Sequence, residues 1–112
     1  MDDIQEIIDA LIKFRNERDW EQFHDAKNLA IAISIEASEL NELFLWKTPE
    51  EVEKVNRDRI KEEVADILAF TLLLADKYSF TIKDIILEKI KQNAEKYPVN
   101  KAKGNAKKYN EL

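Results

Sequence analysis

Two acidic pairs at helical spacing stand in otherwise apolar stretches of this chain: Glu36 and Glu39 in SIEASEL, and Glu63 and Asp66 in KEEVADIL. Read as helices, these stretches carry apolar stripes at steps of three, four and seven. The first is Leu29, Ala32, Ile33, Leu40 and Leu43; the second is Ile60, Val64, Ile67, Phe70, Thr71 and Leu74. Glu36 and Glu63 fall inside the stripes, with Glu39 and Asp66 on their borders. A single such pair is ordinarily a solvated helix face. Two pairs aimed at one interior are different, because ionised carboxylates left unpaired in a core are costly and like charges worsen the cost. No lysine or arginine on either helix is placed inward to neutralise four of them. A hard cation with oxygen ligands, magnesium or manganese, would answer the charge. Di-iron chemistry requires Glu-x-x-His pairs, and the one histidine, His24, lies outside both motifs. Phosphate-loop chemistry requires glycine-rich loops, and Gly104 is the only glycine.

The elements that must position these carboxylates can be read from periodicity and caps. Residues 3 to 18 place Ile4, Ile7, Ile8, Leu11, Ile12 and Phe14 on an amphipathic helix. Asp25 caps a second helix expected over residues 26 to 46. Thr48-Pro49-Glu50-Glu51 is a strong start signal, with a capping threonine, proline in the first turn and Glu51 completing the box. A short helix should follow and run, with a kink near Asn56, into a long one ending around Lys77. Thr81 and Asp84 open the last helix, which Pro98 stops. No stretch alternates as a strand does. The fold class is therefore all-α, a bundle of four main helices in one domain over 1–112, with 98–112 as an irregular basic tail.

Size and charge narrow the functions. A chain of 112 residues suits one domain whose modest core makes self-association an expectation. The net charge of −5 argues against a nucleic acid polymer as partner. The absence of cysteine excludes thiol nucleophiles and zinc–thiolate sites and suits a cytoplasmic protein. The acidic start MDDIQEIID is no signal peptide, and no apolar run is long enough for a membrane span.

Magnesium held by several carboxylates usually works on phosphates, and a small-molecule nucleotide is one such substrate. Its base would need a flat apolar slot, for which Trp20 in RDWEQFH and Trp46 in FLWKT are candidates. Trp20 and Trp46 lie too far apart to meet on one helix, so the bundle or a second subunit would have to join them. His24 is near Trp20, and Asn93 lies between apolar turns of the last helix. Lys101, Lys103, Lys107 and Lys108 in the tail read as solvated or as able to fold over a triphosphate.

These segments together resemble the all-α nucleotide pyrophosphohydrolases of the MazG-like superfamily, and most of all its dCTP pyrophosphatase branch. The similarity runs from ERDWEQFH through NLAIAISIEASELNELFLWKT, KEEVADIL and NAEKYP to KKYNEL. It implies that Glu36, Glu39, Glu63 and Asp66 bind magnesium, and that Trp20 and Trp46 flank a pyrimidine with His24 and Asn93 nearby. It also implies that Lys27, Lys96, Lys107, Lys108 and Tyr109 lie near the phosphates. The implied reaction is hydrolysis between the α- and β-phosphates to a monophosphate and pyrophosphate, in a homodimer or homotetramer. Two features depart from the animal enzymes of that branch: a shorter segment between Trp46 and Glu63, and Leu11 at the position of a first-helix histidine. The rival class is a non-catalytic helical module, an oligomeric adaptor or nucleotide sensor.

Overall fold

The computed structural model describes residues 2–112, and every regular element among them is helical. Helix α1 (Asp3–Glu17) is capped by Asp2, which accepts from the Gln5 N–H at 2.7 Å. Helix α2 (Ala26–Glu42) is capped by Asp25 through the Asn28 N–H, as its sequence suggests. Helix α3 (Pro49–Val52) opens with the full reciprocal box: the Thr48 hydroxyl accepts from the Glu51 N–H while the Glu51 carboxylate accepts from the Thr48 N–H. Helices α4 (Arg57–Lys77), α5 (Ile82–Lys96) and α6 (Val99–Ala102) complete the order.

The four long helices are the expected ones, with differences at their ends. Helix α2 stops at Glu42, short of 46. Its backbone tightens into three-residue bonds, Leu43 N–H to Leu40, Phe44 N–H to Asn41 and Leu45 N–H to Glu42, and Trp46 then takes a left-handed φ of 62°. The short and long helices do not merge through a kink. Asn56 instead starts α4 afresh, its side chain accepting from the Asp58 N–H at 2.9 Å. Within the basic tail, α6 and a 3₁₀ turn at Tyr109–Glu111 stand between irregular stretches.

The chain forms two compact units, one closing at Ser79 and the other spanning Phe80–Leu112. In the first, α2 and α4 share the main interface and α1 packs on α4. The two central helices run antiparallel: Leu29 near the start of α2 borders the same cavity as Leu73 late in α4, whereas Glu36 and Glu39 meet Glu63 early in α4. Among the described residues the core consists of Ile8, Leu29, Leu72, Leu73 and Ala75, and Glu63, two turns and more away along α4 from Leu72, is buried as well. On α4 the inward stripe is rotated from the expected one: Val64 and Thr71 are exposed, and burial follows Glu63 and Leu73. In the second unit, Tyr97 meets Tyr109 edge to face at 6.1 Å, and the Lys96 ammonium lies 5.1 Å from the Tyr109 ring.

The caps differ in kind. The side chains of Asp25 and Thr48 accept from backbone N–H groups, whereas Thr81 makes no such bond at the start of α5. Asp25→Ala and Thr48→Ala should each cost about 1 kcal/mol, and Thr81→Ala a few tenths at most. Urea unfolding of the three variants checks this; an equal loss at Thr81 would contradict it.

Candidate functional site

Where α2 faces α4, one carboxylate oxygen each from Glu36, Glu39 and Glu63 lies within 4.8 Å of the other two. Glu63 is only 7% exposed, Glu36 is half-buried and Glu39 is open to solvent. The Oε2 atoms of Glu36 and Glu63 are buried without a hydrogen-bond partner. One cation does approach: Arg59 Nη2 stands 3.8 Å from Glu63 Oε1, one turn earlier on α4. Arg59 is 56% exposed and divides itself between Glu63 and Glu62, so it offsets little of the charge. Burial pushes the Glu36 carboxyl up to about 7, helped by the carboxyl groups of Glu39 and Glu63 and the charge of Asp66. The donor set is anionic, made of hard oxygens, and has two orphaned members. It fits magnesium or manganese and offers nothing to a soft metal.

Asp66 does not join that trio. It is exposed and lines a neighbouring cavity of about 310 Å³ between α1 and α4. The helix turn that ends α1 builds one wall of this cavity. Asp19 takes a φ of 54°, its N–H reaches the Asn16 carbonyl, and the Trp20 N–H reaches back to Arg15. That is a Schellman ending, in which the residue after the turn packs on the last helical turn. Trp20 accordingly meets Phe14 edge to face at 5.8 Å. His24 continues the aromatic wall, 6.5 Å from Trp20 and 6.3 Å from Phe70 between ring centres. Burial, and then the charge of Arg15, lower the His24 pKa, so the ring is neutral at pH 7. Leu11, at the position where the resemblance leads one to look for histidine, adds an apolar patch to the same cavity.

The other sequence candidates divide. Trp46 is 91% exposed and lies outside the aromatic cavity, so one chain does not bring it to Trp20. Lys27 is exposed on the first turn of α2. Asn93, Lys96, Lys107, Lys108 and Tyr109 belong to the second unit, where Lys96 and Tyr109 come together. Phe14, Arg15, Phe70 and Arg59 border the two clusters without having been singled out as site residues. For Phe14 and Arg15 a signal existed, since they directly precede the turn that carries Trp20.

A family model described as MazG-like matches residues 31–112. Curated relatives include dCTP pyrophosphatase 1 of Bos taurus, 39% identical, and of Homo sapiens, 37% identical, each over 105 residues and 89% of this chain. The chain spans 62% of the length of those relatives. Among solved structures, a pyrophosphatase from Archaeoglobus fulgidus DSM 4304 superposes with a TM-score of 0.82 at 35% identity, covering 88% of this chain and 94% of that one. The matched span holds both acidic motifs and most of the chain: the protein belongs to the MazG-like family.

Proposed function

We propose that the chain is a magnesium-dependent nucleoside triphosphate pyrophosphohydrolase that cleaves dCTP, or a modified form of it, to the monophosphate and pyrophosphate. One observation carries this: a carboxylate trio, buried at Glu63, half-buried at Glu36 and under-neutralised, stands beside an aromatic cavity, with Asp66 bordering the cavity and felt by Glu36. Glu36, Glu39, Glu63 and Asp66 would hold the ion. Bound there, magnesium (or manganese) would neutralise phosphate charge and lower the pKa of a coordinated water. Glu36 or Glu39, whichever carboxylate is less engaged as a ligand, takes the proton from the attacking water. Trp20 and His24 receive the base. By family resemblance, Asn93 would lie near the nucleotide, and Lys27, Lys96, Lys107, Lys108 and Tyr109 near the phosphates.

A homodimer or homotetramer in the cytoplasm completes the proposal. Ile31 and Ile35 on α2 and Val64 and Leu68 on α4 are exposed apolar side chains that a second copy would cover. A second copy would also give Trp46 a route to the base that its own chain denies it. No helix among the described residues is long and apolar enough to cross a membrane.

Incubation with a panel of triphosphates and magnesium should release pyrophosphate and a monophosphate, cytosine substrates fastest; release of orthophosphate would refute the reaction. Glu63→Gln should lower kcat by roughly a hundredfold or more, the scale of losing one charge-stabilising group, while leaving the metal-free protein as stable or more so. Glu62→Gln is the control and should be silent. If Glu63→Gln unfolds instead, Glu63 is structural.

The pH response of the metal-free protein follows from Glu36. Its native pKa lies above the ordinary 4.5, so the native state holds the proton more tightly than the unfolded chain. The stability it adds is complete below about 4.5 and is lost as pH rises towards 7. Melting temperature without divalent ions should therefore fall across that window, and Glu36→Gln should flatten the slope. A rise across the same window would show that the carboxylates are not crowded.

Trp20→Ala should weaken nucleotide binding by roughly tenfold to a hundredfold, since base stacking is worth about 1–3 kcal/mol per aromatic. Magnesium should still raise the melting temperature of this variant. An unchanged Michaelis constant would return Trp20 to a packing role.

A further inference from the structure

Helix α1 turns Ile4, Ile8, Leu11 and Arg15 to one side, at steps of four, three and four. Ile8 is buried and Leu11 half-buried, so Arg15 occupies the inward face of an amphipathic helix. Its side chain is only 15% exposed. A guanidinium so placed ordinarily satisfies its donors within the protein. Arg15 does not. Nε donates to Asn16 Oδ1 at 3.1 Å, and Nη2 stands 3.8 Å from Glu21 Oε2, beyond hydrogen-bond reach of a carboxylate that is itself 72% exposed. Nη1 and Nη2 make no hydrogen bond among the described residues. The side chain also borders a polar cavity with Asp76, yet forms no ion pair with it. On its other side it lines the aromatic cavity with Phe14, Trp20 and Phe70.

A planar fork of donors recognises two adjacent acceptors, as arginine does at the O6/N7 edge of guanine. Among pyrimidines only cytosine offers such a pair, O2 beside N3. Uracil and thymine place an N3–H between their two carbonyls, so a donor would meet the fork. The cavity, about 310 Å³, lies at the small end of the range for ligand pockets and favours a single ring. We infer that Arg15 is the specificity-determining residue of this site, its Nη1 and Nη2 donating to O2 and N3 of a cytosine stacked in the aromatic cavity. This rests on the proposed function, in that the base of a triphosphate substrate enters here. Selection works in both directions, because the same donors that pair with cytosine oppose the N3–H of uracil.

The test compares the wild type with Arg15→Met, which keeps length and removes every donor, and with Arg15→Lys, which keeps the charge without the fork. Two quantities are read: kcat/KM for dCTP against dUTP with magnesium, and quenching of tryptophan fluorescence by dCMP and dUMP without metal. The wild type should prefer cytosine in both. Arg15→Met should lower that preference by roughly tenfold to a hundredfold, mostly through the Michaelis constant. Arg15→Lys should lose most of it as well, because charge alone does not separate the two bases. If Arg15→Met fails to fold, Arg15→Lys carries the comparison. A preference kept in the lysine variant, or an equal loss for both bases, would overturn the inference, as would a wild type that hydrolyses both equally. A wild type that cleaves no triphosphate would instead sink the parent proposal.

Discussion

Like charge at the contact between α2 and α4 is the constraint on which the rest of the first unit depends. Two ionised carboxylates 4.8 Å apart repel by about 3.5 kcal/mol at an effective dielectric of about 20. Crowding of this kind disfavours full ionisation of the trio, and burial together with the neighbouring carboxyl groups pushes Glu36 up to about 7. The apolar core is placed accordingly. Leu72, Leu73 and Ala75 are buried in the last turns of α4, and Leu29 near the start of α2 is buried with them. The helix pair is thus held by packing at one end, which leaves the other end free to gather carboxylates.

Turn chemistry does the remaining positioning, and it does so almost without glycine. Asp19, Trp46 and Ser79 all adopt left-handed φ values that side chains other than glycine tolerate poorly. At Asp19 the outcome is constructive, because the turn folds Trp20 back onto Phe14 and opens the cavity that His24 and Phe70 extend. At Trp46 the same backbone state ends α2 early and exposes the indole. A bulky residue in that conformation, 91% exposed and with no ring contact among the described residues, gains little from folding alone. Its place is more easily understood if a second copy covers it.

What could be read from the sequence was whatever local chemistry dictates. The reciprocal box at Thr48 and Glu51, the Asp25 cap, the end of α4 at Lys77 and the meeting of Glu36, Glu39 and Glu63 all follow from spacing and side-chain type. Tertiary choices were less legible. Helical periodicity does not say which part of a broad apolar surface turns inward, and on α4 the choice fell towards Leu73, leaving Val64 exposed. The 3₁₀ tightening after Glu42 has no sequence marker as plain as glycine. Arg59 was missed because a long side chain reaches one turn along its own helix to Glu63 whatever face its Cα occupies. Arg15 was missed because a lone basic residue beside Phe14 reads as a solvated end of α1 until its burial is known.

Helix α4 is the element that relates the two halves of the site. Glu63, Asp66 and Phe70 follow one another at steps of three and four, so they form one row along its surface. The axial distance from Glu63 to Phe70 is set by helix rise, about 10 Å over seven residues, and not by a loop that could drift. Asp66 lies between them, bordering the aromatic cavity while its charge is felt by Glu36. An ion held by the trio and a base held by the cavity would consequently sit at a fixed separation on a rigid rod, with Asp66 spanning the gap. A nucleotide placed there would have its phosphates and base located by one helix, and α1 and α2 would supply what closes around each end.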